Sequence, residues 1–361
     1  MPYRILINTM VMVLNAGVIS MGTFAQEAPT EDNTSKRAGL GIYMDQDLLL
    51  PVLNEDRDYT MGLAFELFWD DQPKYLRSLD NLLEKINSKA SLIRNTTRFQ
   101  RSLILGSISY TPDNLSNPNP IYNDRPYSSL IYVSSKRVFA KECDKNGDDR
   151  SCRDTVVGTE LQIGCLGLDI SKTVQTSIHK NMRAWRDKDQ PVDPMGWPHQ
   201  ISDGGEPTVR YRVSYGQQLL GNRLMDVAYT TDASVGYQTN MSFGMQTRWG
   251  RTHSGFWTLP FDPINRGNFI PSHTGDEVYV WAVYRARAVA YDALLQGQFR
   301  HSDVTFGSSD IERVVFESGV GLTCAFEPMQ FTLSGNFKSS ELKGDAERSH
   351  WWGGCYLVRM F

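Results

Sequence analysis

The sequence predicts an all-β protein: an up-and-down antiparallel transmembrane β-barrel of about twelve strands with a helical loop on one rim. Four observations predict it. After residue 38 apolar and polar side chains repeatedly alternate with the period of a strand, as in DYTMGLAFELFW (58–69). Beyond the first 25 residues no stretch approaches the roughly 20 apolar residues that a membrane-crossing helix needs. The mean hydropathy is −0.39, as polar as a barrel with a wet lumen. The last residue, Phe361, is an aromatic C-terminus of the kind found on final strands of outer-membrane barrels. A soluble β-sandwich also alternates, but barrel closure leaves no unpaired sheet edge in lipid.

The elements follow in order. Residues 1–25 read as a secretory signal, with Arg4, an apolar run over 5–19, and Thr23-Phe24-Ala25 before Gln26 as a cleavage site. Residues 26–37 form a polar leader, and 38–361 make one barrel domain. Strand one covers 38–47 and ends in MDQD; strand two is 58–69. In it Tyr59, Met61, Leu63, Phe65, Leu67 and Trp69 share one face. Leu76, Leu79, Leu82, Leu83 and Ile86 have helical spacing. They predict a connector against the barrel mouth or the membrane surface. Strand three covers 97–110, before the Pro/Asn-rich loop 111–126, which cannot hold regular structure. Strands four and five (127–141 and 154–165) flank a turn between Cys143 and Cys152; strand six is TVRYRVSYG. Strands seven and eight occupy 224–238 and 241–250, and 251–275 is a long loop.

The later strands alternate most clearly. Val278, Val280, Ala282, Tyr284 and Ala286 form an apolar face, opposite Arg285 and Arg287. Met329, Phe331, Leu333 and Phe337 do the same against Gln330, Thr332, Ser334, Asn336 and Lys338. One face suits lipid, the other a wet lumen.

One stretch breaks the pattern. Within 165–207 Val174, Ile178 and Met182 fall four apart, on one face of a helix, with Gln175 and His179 one step round. In an up-and-down barrel alternate connections share a rim. The loops joining strands one–two, three–four and five–six then lie together. Asp47, Thr60, Arg125, Tyr127, Gln175 and His179 are brought to one rim, and the cysteine turn and the 73–94 helix to the other.

The net charge of −4 gives no basic surface for nucleic acid. Five cysteines suit an oxidising compartment. Cys143 and Cys152 could staple their turn, and Cys324 and Cys355 could meet across late strands, leaving Cys165 over. The run 144–149 hints at a calcium loop but lacks the spacing of an EF-hand. A nucleophile elbow and a Cys/His metal cluster are both missing from the sequence.

The run DQDLLL…DRDYTMG resembles the Asn-Asp…Asp-Arg-x-Tyr-Thr-x-Gly opening of the lipid A 3-O-deacylases, the LpxR family. TPDN…NDRPYSS, VQTSIH, GWPHQI and Glu206-Pro207 follow in the family's order, and AYDALLQG is similar near the end. The resemblance implies a twelve-stranded outer-membrane barrel that uses calcium (Ca2+) to hydrolyse the 3-linked acyl ester of lipid A. Its site would lie between the wall and a helical loop, on the rim facing the cell exterior. The implied partners are lipid A (lipopolysaccharide) and the outer-membrane bilayer; neither nucleic acid nor a protein partner is implied. By this resemblance His179 is the general base, its imidazole titrating near ~6.5 when unperturbed. Gln175 would orient the ring or the substrate, and Thr60 would bind a ligand or water. Asp47 and the Gln46 carbonyl would hold the metal. Arg125 and Tyr127 would bind substrate, Arg125 through a lipid A phosphate, unless it tethers its loop through Asp124.

The chain departs from the family in three places. Gln46 replaces the usual Asn, Gly164-Cys165-Leu166-Gly167 replaces Gly-Pro, and the nearest acidic residue after His179 is the displaced Asp187. Two alternatives use the same residues: a catalytically inactive lipopolysaccharide-binding or structural barrel, and an outer-membrane phospholipase.

Overall fold

A computed structural model describes residues 38–46, 49, 58–69, 77–90, 98–143, 153–181, 193–222, 224–259 and 275–361. The signal and leader of 1–37 lie outside these residues, as do Asp47, Cys152 and Asp187. Twelve described strands close into one barrel in chain order. They are β1 (Ala38–Gln46), β2 (Asp58–Trp69), β3 (Arg98–Thr111), β4 (Ser128–Lys141), β5 (Thr155–Leu166), β6 (Glu206–Gly221), β7 (Met225–Gly236), β8 (Gln238–Arg251), β9 (Glu277–Asp292), β10 (Val314–Phe326), β11 (Met329–Lys338) and β12 (His350–Met360). Every neighbouring pair is antiparallel, and β12 pairs with β1 to complete the ring. The Phe361 amide donates to the Ala38 carbonyl across that seam at 2.7 Å.

The alternation read in the sequence sorts the side chains as a membrane barrel requires. Val280, Tyr284, Val320, Leu333 and Phe243 stand exposed on the outer wall. Their neighbours Arg285, Arg287, Glu317 and Asp232 are buried in the lumen. There the charges are paired: Arg285 and Arg287 hold Glu317 at 2.5 and 3.1 Å, Arg212 holds Asp232, and Lys136 holds Glu66 at 2.6 Å. Burying charge without a partner costs several kcal/mol, so the lumen carries both signs interleaved.

Two helices lie against the outer wall. The first, α1 (Arg77–Ala90), sits beside β4 and β5 on the rim opposite the predicted site. It meets the wall with polar residues: Asp80 takes two hydrogen bonds from Arg137 at 2.6 and 2.7 Å, and Asn87 bridges Thr159 and Tyr211. Only Leu83 of the leucines is fully buried there, while Leu82 remains exposed. The second, α2 (Ile170–Asn181), occupies the β5–β6 connection.

Two expectations need correcting. Cys324 and Cys355 are free, because β11 separates their strands; Cys165 is also free, and Cys143 is disulfide-bonded. The strand-two alternation breaks at its start. Tyr59 pairs with Tyr110 and Met61 with Ser109, so Thr60 is an extra, bulged residue. Tyr59 therefore turns into the lumen, against Tyr110 and Trp352, with ring centroids 5.3 and 5.1 Å away.

Candidate active site

The site begins with the bulge. An extra residue re-aims the side chains beside it, and here it leaves both Thr60 and Met61 lining a pocket on the outer wall. The Thr60 hydroxyl is 2.6 Å from that of Thr111. Gln46 of β1 and Ser109 of β3 complete the wall side. Each is an outward position in a strand whose neighbours face the lumen, yet both are buried.

What buries them is α2. Its start is set by Gly167, whose φ of +71° is open to glycine at little cost. A Cβ there would fall 2.0 Å from the Ser202 carbonyl oxygen. The Gly167 amide donates to Ser129 of β4 at 2.9 Å, turning the chain back over the wall. Ser171, Gln175 and His179, four apart, then form the helix's buried stripe. Ser109 donates to Ser171 at 2.8 Å. Val174, read as part of an apolar contact face, is only half-buried, and Ile170 is exposed. The wall under the helix is polar, so the polar stripe packs against it.

The enclosed space is small, about 10 Å³, on the order of one water molecule.

The GWPHQI segment holds the helix from above. Trp197, fully buried, packs at a tilt against Tyr127 with ring centroids 4.9 Å apart and donates its indole N–H to Gln175 Oε1 at 3.0 Å. Gln200 accepts from Ser129 at 2.9 Å, and the Ile201 amide donates to the Tyr127 carbonyl at 2.8 Å.

Arg125 takes no part in this pocket. Its guanidinium lies in the barrel's mouth, paired with Glu341 at 2.5 Å and 3.9 Å above the Tyr110 ring. Burial pushes its pKa down, but Glu341 and Tyr110 outweigh that and raise it. The tether is Asp124, which accepts from the Asp113 and Arg125 amides and pairs with Arg348 at 2.5 Å. Arg348 also grips Asp58, at 2.7 Å, two residues before Thr60.

A polar pocket between barrel wall and helical loop is an arrangement that can be compared with known proteins. A family model described as "Outer membrane protein LpxR" matches residues 9–361. This chain belongs to the LpxR family. Among solved structures, LpxR from Salmonella typhimurium superposes with a TM-score of 0.65 at 19% identity, covering 90% of this chain and 100% of that one. The β domain of the Bordetella autotransporter Brka reaches 0.40 at 8% identity, covering 91% and 100%. A COG4313 outer membrane channel from Pseudomonas putida F1 reaches 0.41 at 9%, covering 93% and 100%. None of the curated proteins searched matches the sequence. Membership of LpxR makes this an outer-membrane β-barrel, in keeping with its apolar outer wall.

Within that LpxR frame Gln46, Thr60, Gln175 and His179 come together. Tyr127 stands one residue behind, through Trp197. Ser109 and Ser171 had no signal of their own in the sequence and are recognised only by what they touch; Trp197 stood in the GWPHQI motif with no role assigned to it. Among the described residues no group of three His, Cys, Asp or Glu side chains is placed to hold a metal. The oxygens of Gln46 and Thr60, beside the chain position of Asp47, are nevertheless the hard donors calcium prefers, so the residue types fit that ion.

Proposed function

We propose that the chain is a lipid A deacylase that hydrolyses the 3-linked acyl ester from the outer leaflet, with its site on the exterior rim. One observation carries this reading: α2 seats His179 and Gln175 over Gln46 and Thr60 on the outer, lipid-facing wall. A site there meets a lipid without drawing it from the membrane, whereas a lumenal site would have to extract it.

The neutral imidazole of His179 takes a proton from water as the oxygen attacks the acyl carbonyl. When the tetrahedral intermediate collapses, the same ring returns that proton to the departing sugar oxygen. The products are a free fatty acid and a 3-hydroxyl. Calcium held by Asp47 and Gln46 would supply positive charge beside the carbonyl oxygen. Thr60, fixed by Thr111, presents its hydroxyl to the same space.

Mass spectrometry of lipid A from cells expressing the chain, with calcium and with a chelator, tests the proposal. Loss of one 3-linked acyl chain only with calcium is expected. His179→Ala and Asp47→Ala should each abolish the loss and leave a folded, heat-modifiable barrel. Unchanged lipid A beside folded wild-type protein would leave the inactive, lipopolysaccharide-binding barrel; release of acyl groups from phospholipids instead would indicate a phospholipase.

A further inference from the structure

An indole nitrogen can only donate a hydrogen bond. The carboxamide atom 3.0 Å from Trp197 Nε1 is therefore the Gln175 oxygen, and the Gln175 amino group must point elsewhere. Gln175 is buried and lines the pocket. Its Nε2 has no hydrogen-bond partner among the described residues. A buried, unsatisfied donor destabilises a fold, and is retained where a ligand will satisfy it. Trp197 is itself held in place, with no exposed surface and its ring packed at a tilt against Tyr127.

We propose that Trp197 is a positioning residue: it clamps the Gln175 carboxamide by its oxygen, so that the Nε2–H donates to the acyl carbonyl oxygen as negative charge develops there. The inference rests on the hydrolase reading above and deepens it. Without the clamp the amide rotates freely about its last torsion and presents oxygen to the oxyanion as often as nitrogen. A donor already aimed at developing charge needs no reorganisation during the reaction.

Trp197→Phe removes the N–H and keeps a ring against Tyr127, so it separates the clamp from packing. In the purified, folded protein acting on lipid A, we expect kcat to fall on the order of tenfold with KM little changed. Gln175→Glu removes the donor itself and should fall on the order of a hundredfold. Because both changes act through one hydrogen bond, Trp197→Phe should then add nothing in the Gln175→Glu background. A Trp197→Phe enzyme with wild-type kcat, or an equal loss in both backgrounds, overturns the clamp. The ¹⁵N side-chain amide resonance of Gln175, assigned by its disappearance in Gln175→Glu, reads the contact without turnover. A shift of that resonance in Trp197→Phe is expected, and an unmoved resonance also overturns the clamp. A wild-type chain inert on lipid A whose resonance does shift would sink the hydrolase reading while keeping the clamp.

Discussion

Glu341 is the buried partner of Arg125, the residue offered by the sequence as a phosphate site. Burial would raise its carboxyl pKa, yet Arg125 and Lys338 hold it well below the usual carboxylate range. A group depressed in the folded state contributes stability above its unfolded pKa, near ~4.3, and loses it as pH falls towards the folded value. Glu341→Gln leaves two buried cations without their carboxylate, at a cost of roughly 3–5 kcal/mol. Heat-modifiability on gels should show a lower unfolding temperature at pH 7, and the difference from wild type should shrink as pH falls below about 4. An unchanged midpoint at pH 7 would mean that Arg125 finds another partner. Arg125 next to Asp124 in a loop motif reads as an anion site in the sequence, because the sequence cannot show that Glu341 lies across the mouth.

Both wall helices bury polar side chains. A surface helix normally buries its apolar stripe; α1 buries Asp80 and Asn87 beside Leu83, and α2 buries Ser171, Gln175 and His179. The spacing of leucines correctly located α1, but their orientation depends on the medium. Outside the wall lies lipid, so Leu82, flanked by half-buried Leu79 and Ile86, has an apolar medium to face. A bromolipid should quench a fluorophore attached at Leu82→Cys and not one at Lys85→Cys. Equal quenching at both would detach α1 from the bilayer surface. At the start of α2, Gly167→Ala meets both an unfavourable φ and the Ser202 carbonyl. It should cost activity by on the order of tenfold or more while most of the barrel stays folded, measured as acyl release per folded protein.

As a whole the barrel is closed and filled. The lumen is lined by buried charges paired between strands that are adjacent or one apart in the sheet, such as Arg287–Glu317 and Lys136–Glu66, and Arg125, Glu341 and Tyr110 lie at the mouth. Purified protein in planar bilayers should therefore show no steady ion conductance; porin-like openings would refute a plugged lumen. The three loops at that rim are also joined. His199 of the β5–β6 connection contacts Asp303 of β9–β10 at 2.5 Å and the Pro118 carbonyl of β3–β4 at 3.0 Å. These contacts tie the three loops to one another across the mouth.

The period-two pattern located most of the strands and their lipid-facing side, and with the even count of a closed barrel it pointed to about twelve, because alternation is local and backbone in lipid must pair. Loop parity likewise placed Thr60, Gln175 and His179 on one rim. Folding in three dimensions settled what sequence spacing leaves open. The bulge at Thr60 arises from the pairing of β2 with β3, not from any residue in β2. The polar stripe of α2 faces inward because the wall opposite it is polar. Arg125 is removed from the pocket, and Trp197 brought to Gln175, by partners 216 and 22 residues away in the chain. Contacts at those separations carry no local signal, since neither partner constrains the residues beside the other.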